Sequence, residues 1–198
     1  MKRILFVFLF LVVIFCTLSP SSQAREGTLL QVGMVGSMDL GDPSDGPNLK
    51  LGPGAFAAAG YIFGILGVRG SFLFASMDSE GNSPNFGLGS ELWGGTVDLL
   101  IYPFNTAENQ DSIFQPYFVV GVGGYLLENQ TLFPTSAEGI GGNIGAGFDV
   151  HILERLTIGF ENNYRPMAFW QSSPNGFFGT NSFGKQFYTF MGTIGLHF

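Results

Sequence analysis

The chain has 198 residues, 45% of them hydrophobic and only 12% charged, against a usual charged share of about 25%, which excludes a disordered chain. Its 30 glycines and 22 phenylalanines disfavour a helical bundle and suit short strands. A formal charge of −7 gives little to grip a phosphate backbone, so nucleic acid is set aside as a partner.

Read from the start, Lys2 and Arg3 precede an uncharged apolar run, ILFVFLFLVVIFCTL, from Ile4 to Leu18. The polar segment SPSSQA follows, with the small residues Ser22 and Ala24 where a signal peptidase reads. The expected organisation is a cleaved signal peptide over 1–24 and one exported domain over 25–198. The single cysteine, Cys16, falls inside the leader, so the exported part has no thiol for a disulfide or a zinc ligand.

Eight stretches of alternating polarity follow, separated by glycine and polar clusters, and the period of two predicts strands. They run near 29–38, 52–64, 68–77, 91–104, 115–127, 139–151, 155–167 and 186–198. In GVRGSFLFA, Val68, Phe72 and Phe74 oppose Arg69, Ser71 and Ala75. In GGTVDLLIYP, Val97, Leu99 and Ile101 oppose Thr96 and Asp98. In ERLTIGFENNYRP, Leu156, Ile158, Phe160, Asn162 and Tyr164 oppose Arg155, Thr157, Gly159, Glu161, Asn163 and Arg165. The faces of GAFAAAGYIF cannot be told apart, because both are small or apolar.

Such a pattern suits a soluble barrel with an apolar interior or a membrane barrel with an apolar exterior. Three features favour the second. Glycine recurs on the polar face (Gly33, Gly121, Gly145, Gly159 and others), as a narrow lumen requires. Tyr102, Phe104, Tyr117, Tyr164 and Phe198 stand at strand ends, where interfacial girdles belong. Shorter connections near 65, 105–114 and 152–154 alternate with longer ones near 39–51, 78–90, 128–138 and 168–185, the asymmetry of periplasmic turns and outer loops.

The signal peptide, the eight strands, the stretches QPYFVVGVGGYL and GGNIGAGFDVHILERLTIGFENNYR, and the last strand YTFMGTIGLHF resemble the small eight-stranded outer-membrane barrels of Gram-negative bacteria, of the OmpA and OmpX kind and the opacity-type porin-like domain. The resemblance implies an all-β fold: an eight-stranded antiparallel up-and-down transmembrane β-barrel with both termini in the periplasm. It also implies that Tyr188, Phe190, Ile194, Leu196 and Phe198 serve as the signal read by the barrel-assembly machinery. Outer-membrane lipid and lipopolysaccharide are the implied surroundings.

Arg69, Asp98, Glu161 and Arg165 are the lumen ion-pair candidates, with Asp149, Asn143 and Gln31 near them in pattern. Charges in so narrow a lumen must pair. They form either a structural plug or a gate for a narrow ion pathway. Asp39, Asp42 and Asp45 in the first long connection lack the alternate spacing and terminal glutamate of a calcium loop, and read as a solvated acidic loop. Phe169, Trp170, Phe177, Phe178 and Phe183 in the last long connection are surface-loop interaction candidates, anchoring the rim in lipid or contacting an extracellular ligand or host surface.

No catalytic site, cofactor or metal site is expected. The two histidines, His151 and His197, fall at the expected periplasmic ends, away from any outer-leaflet chemistry, and lack zinc-ligand spacing. The functional expectation is a structural or surface-interaction role. A narrow pore, or a route for small or hydrophobic solutes of the porin or OmpW kind, is the alternative, and a soluble exported ligand-binding barrel the third reading.

Overall fold

A computed structural model describes residues 26–40, 52–77, 90–105, 112–129, 135–171 and 181–198. Eight strands follow one another: β1 (Gly27–Asp39), β2 (Gly52–Phe63), β3 (Leu66–Met77), β4 (Ser90–Ile101), β5 (Phe114–Asn129), β6 (Thr135–His151), β7 (Leu156–Gln171) and β8 (Asn181–His197). Each pairs antiparallel with the next, and β8 returns to β1, closing the sheet so that no edge is left unpaired. The expected leader lies outside the described residues.

Alternation of side chains sets the two faces. In β7, Thr157, Glu161, Asn163, Arg165 and Met167 are buried inside, while Ile158, Phe160, Pro166 and Trp170 point out. The exterior is a band of exposed apolar groups, among them Val32, Met34, Phe72, Val97, Val122 and Ile144. A surface of that extent has lipid, not water, as its compatible solvent. The second strand, undecided by its composition, turns Phe56 and Ile62 inward and Tyr61 and Phe63 outward.

The interior is less uniformly polar than the alternation suggests. A polar band lies between two apolar layers. At the end carrying the termini, Leu29, Ile62, Leu100, Tyr102, Tyr117 and Val119 form one layer. At the opposite end Val35, Phe56, Leu73, Leu92, Phe169, Phe187 and Met191, with several others, form the second. Tyr102 and Tyr117, expected in an interfacial girdle, are buried instead, with rings 5.1 Å apart. The parity that carries Tyr117 inward is the one it shares with Gln115 and Gly121.

Strand lengths also depart from expectation. β5 to β8 hold 16 or 17 residues each, whereas a tilted strand needs about 9–11 to cross a bilayer. The extra length takes up much of the stretches read as long connections near 128–138 and 168–185, because alternation and cross-strand pairing continue through them. The connection between β5 and β6 shrinks to 130–134, whereas the one between β4 and β5, 102–113, is longer than a tight turn. The β2–β3 turn is tight, with Gly64 at φ 62°, the left-handed position that a two-residue hairpin gives to glycine.

Inward glycines make room for the polar band. A side chain at Gly121 would overlap the Asp98 carboxylate, and one at Gly145 would overlap the Asn163 side chain and the Asn162 carbonyl. The β6–β7 ladder runs to Gly141↔Met167 and resumes at Ile144↔Tyr164, and between them stands Pro166, which has no N–H to donate.

Candidate functional site

Arg69 sits at the centre of the lumen, wholly buried. Its register on β3 places it directly beside Asp98 on β4, and the inward face of β7 brings Glu161 across the barrel. Nη1 donates to Glu161 Oε2 at 2.7 Å and to Gln31 Oε1 at 3.1 Å. Nη2 donates to Glu161 Oε1 at 2.8 Å and Asp98 Oδ2 at 3.1 Å, and Nε to Asp98 Oδ2 at 3.3 Å. All five guanidinium N–H groups are therefore used.

The carboxylates are as fully occupied as the cation. Glu161 also accepts from the Tyr117 hydroxyl at 2.8 Å and from Asn163 Nδ2 at 2.6 Å. Asp98 accepts from Ser71 Oγ at 3.2 Å and Asn143 Nδ2 at 2.9 Å. The Phe56 ring lies 5.3 Å from the guanidinium carbon and closes its remaining face. Around the matched charges the amides are less completely satisfied: Gln31 Nε2, Asn143 Oδ1 and Asn163 Oδ1 are buried without a hydrogen-bond partner. The arrangement is a buried ion-pair and hydrogen-bond network that reaches Arg69 on β3 from β1, β4 and β7.

Of the four lumen candidates, the structure brings three together and leaves one aside. Arg165 lies nearer the second apolar layer, donating from Nε to Thr189 Oγ1 at 3.1 Å and from Nη1 to the Tyr125 hydroxyl at 3.2 Å. Its Nη2 has no hydrogen-bond partner, and no carboxylate among the described residues makes an ion pair with it. Tyr117, Ser71 and Phe56 complete the central cluster although the sequence reading did not associate them with it.

The remaining candidates divide by face. Tyr188, Phe190, Ile194 and Leu196 share the outward face of β8, Phe198 directly follows its last residue, and the Tyr188 hydroxyl donates to Asn162 Oδ1 at 3.0 Å. Phe169, Trp170 and Phe183 are not in a loop: pairing carries β7 and β8 through them. Phe169 points into the barrel, 0% exposed and stacked on Phe183, while Trp170 points outward. Phe177 and Phe178 lie outside the described residues. Asp39, expected in a solvated acidic loop, instead stands at the end of β1 with its carboxylate enclosed and accepts from Lys185 Nζ at 2.9 Å; Asp42 and Asp45 are outside the described residues.

Residues 8–198 match the outer membrane protein β-barrel domain family. Neisserial surface protein A is similar in fold, with a TM-score of 0.57 at 12% identity over 89% of this chain and 100% of that one. Ail, the attachment invasion locus protein of Yersinia pestis, gives a TM-score of 0.55 at 17% identity over 87% of this chain and 99% of its own. Ail is also known in complex with the heparin analogue sucrose octasulfate, and that structure matches with a TM-score of 0.55 at 18% identity over 87% of this chain and 99% of that one. No curated protein sequence matches significantly. Closed fold, apolar exterior and sequence match define an outer-membrane β-barrel protein. The chain belongs to the outer membrane protein β-barrel domain family.

Proposed function

We propose that this barrel is a closed, non-catalytic element of the outer membrane that acts through its structure and its exposed connections, not by passing solutes. The observation that carries this reading is Arg69, held between Asp98 and Glu161 with every N–H matched and apolar layers on both sides. Opening a path would strand buried charge. In this reading residues 1–24 are removed on export. Both termini lie in the periplasm, and Tyr188, Phe190, Ile194, Leu196 and Phe198 are read by the barrel-assembly machinery. Outer-membrane lipid and lipopolysaccharide cover the apolar band.

The connections opposite the termini would then face the cell exterior and meet an extracellular ligand or host surface. Ail's complex with a sulfated sugar gives that idea a precedent in fold, but this chain's −7 charge argues for a partner that is not a polyanion. Planar-bilayer recording on the refolded chain tests the closed lumen. No stable conductance is expected, and steady open channels in the unmodified protein would overturn the reading. Protease cleavage in the connections of intact cells, with the termini protected, is the expected orientation result.

A further inference from the structure

His151 near the end of β6 and His197 near the end of β8 are far apart in sequence, yet the fold places them at one mouth of the lumen. His151 pairs with Thr157 on β7, and Thr157 pairs with Gly195 on β8. Both imidazoles therefore lie on the inward face, with ring centroids 5.2 Å apart and planes at 70°. Both rings are part-exposed at the mouth, although His151 Nδ1 is itself buried.

That spacing has a coordination meaning. A metal bound in the ring plane sits about 2.0–2.1 Å from the nitrogen, hence roughly 3.2 Å from the ring centre. Two imidazoles at a tetrahedral angle then have centres roughly 5.2 Å apart. Beneath the pair, on the same inward face of β6, the Asp149 carboxylate is wholly buried, with Oδ1 lacking a hydrogen-bond partner and Oδ2 only 3.5 Å from the Tyr102 hydroxyl. Thr157 Oγ1 lies 3.5 Å from His197 Nε2, Glu154 and Arg155 on the 152–155 turn are exposed, and Arg69 is engaged deeper in the lumen.

We propose that His151 and His197 form a two-imidazole site for a borderline divalent transition-metal ion, of the Zn2+, Ni2+ and Cu2+ class, with water completing its coordination. Among the described residues no group of three or more His, Cys, Asp or Glu is placed to hold a metal, so the site is weaker than a four-ligand structural zinc centre. A bound ion ties β6 to β8 across β7 in a chain whose only cysteine is Cys16.

The test uses the untagged chain refolded in detergent, with folding verified by heat-modifiable gel migration. Cu2+ electron paramagnetic resonance should show two bound nitrogens, and Zn2+ calorimetry one site per chain, lost as the pH falls and the imidazoles protonate. Because the chain has only two histidines, His151→Gln and His197→Gln should each reduce the Cu2+ signal to one nitrogen and weaken Zn2+ by at least about tenfold. A wild-type spectrum with fewer than two nitrogens, or affinity unchanged in the folded variants, would overturn the site.

Discussion

The Arg69 guanidinium and the Glu161 carboxylate meet at two points, 2.7 Å and 2.8 Å, although they stand on β3 and β7, strands that do not pair with each other. The contact crosses the lumen and braces opposite walls. Because both groups are buried, removing Glu161 strips Arg69 of two charge-assisted hydrogen bonds and leaves Asp98 as its ion-pair partner. Glu161→Ala is expected to destabilise the barrel by about 3–5 kcal/mol. Urea unfolding in detergent micelles measures it; an unchanged midpoint would show that Arg69 finds another partner.

Arg165 should behave in the opposite way. Its head makes two hydrogen bonds to neutral groups and keeps one nitrogen without a partner, beside Met167 and Phe187. Arg165→Met exchanges a poorly satisfied buried cation for an apolar chain of similar length, so stability should hold or rise by about 1 kcal/mol. A large loss in the same unfolding measurement would reveal a carboxylate partner beyond the described residues.

Inward and outward glycines should differ sharply. Gly145→Val drives a side chain into Asn163, with an expected cost of about 1–3 kcal/mol from overpacking. Gly95 faces outward with nothing within 4 Å of an added side chain, so Gly95→Val should be near neutral. Comparing the fraction of each variant that shows heat-modifiable migration decides between them.

The exterior can be probed by charge. Val97, 61% exposed at mid-strand, should tolerate arginine poorly in a bilayer, at about 2–4 kcal/mol. Folding Val97→Arg into lipid vesicles measures this. Equal stability to wild type would mean that this face meets water.

Phe169 and Trp170 are neighbours with opposite surroundings. Phe169→Ala empties part of the second apolar layer and should cost about 3–5 kcal/mol. Trp170→Ala removes an outward ring and should cost less. The reverse order would place Phe169 outside the barrel.

Strand number and most faces were legible because alternation is a local property, as in the run from Leu156 to Arg165. Alternation also put Arg69 and Asp98 on the inward faces of consecutive strands, while their register comes from the pairing of β3 with β4. What alternation could not supply was azimuth and depth: which inward residues meet across the lumen, and at what level. It therefore grouped Arg165 with Glu161, although Arg165 stands four residues further along β7 among the neutral groups Thr189 and Tyr125, and set Tyr117 in a girdle by its place near a strand end. Phe169 was misplaced for a related reason. Glycine and polar residues after Met167 read as a loop, whereas pairing with β8 carries the strand on to Gln171.

The partners of Arg69 come from β1, β4 and β7, and the Lys185–Asp39 pair spans the junction of the last strand with the first. A sheet still open at that junction brings Arg69 only its β4 neighbour. The guanidinium's hydrogen bonds to Glu161 and Gln31 arrive when the ring shuts, and a slip of one residue would send inward charges to the lipid face. The same side chains that fill the lumen thereby favour the correctly registered ring over any partly zipped one.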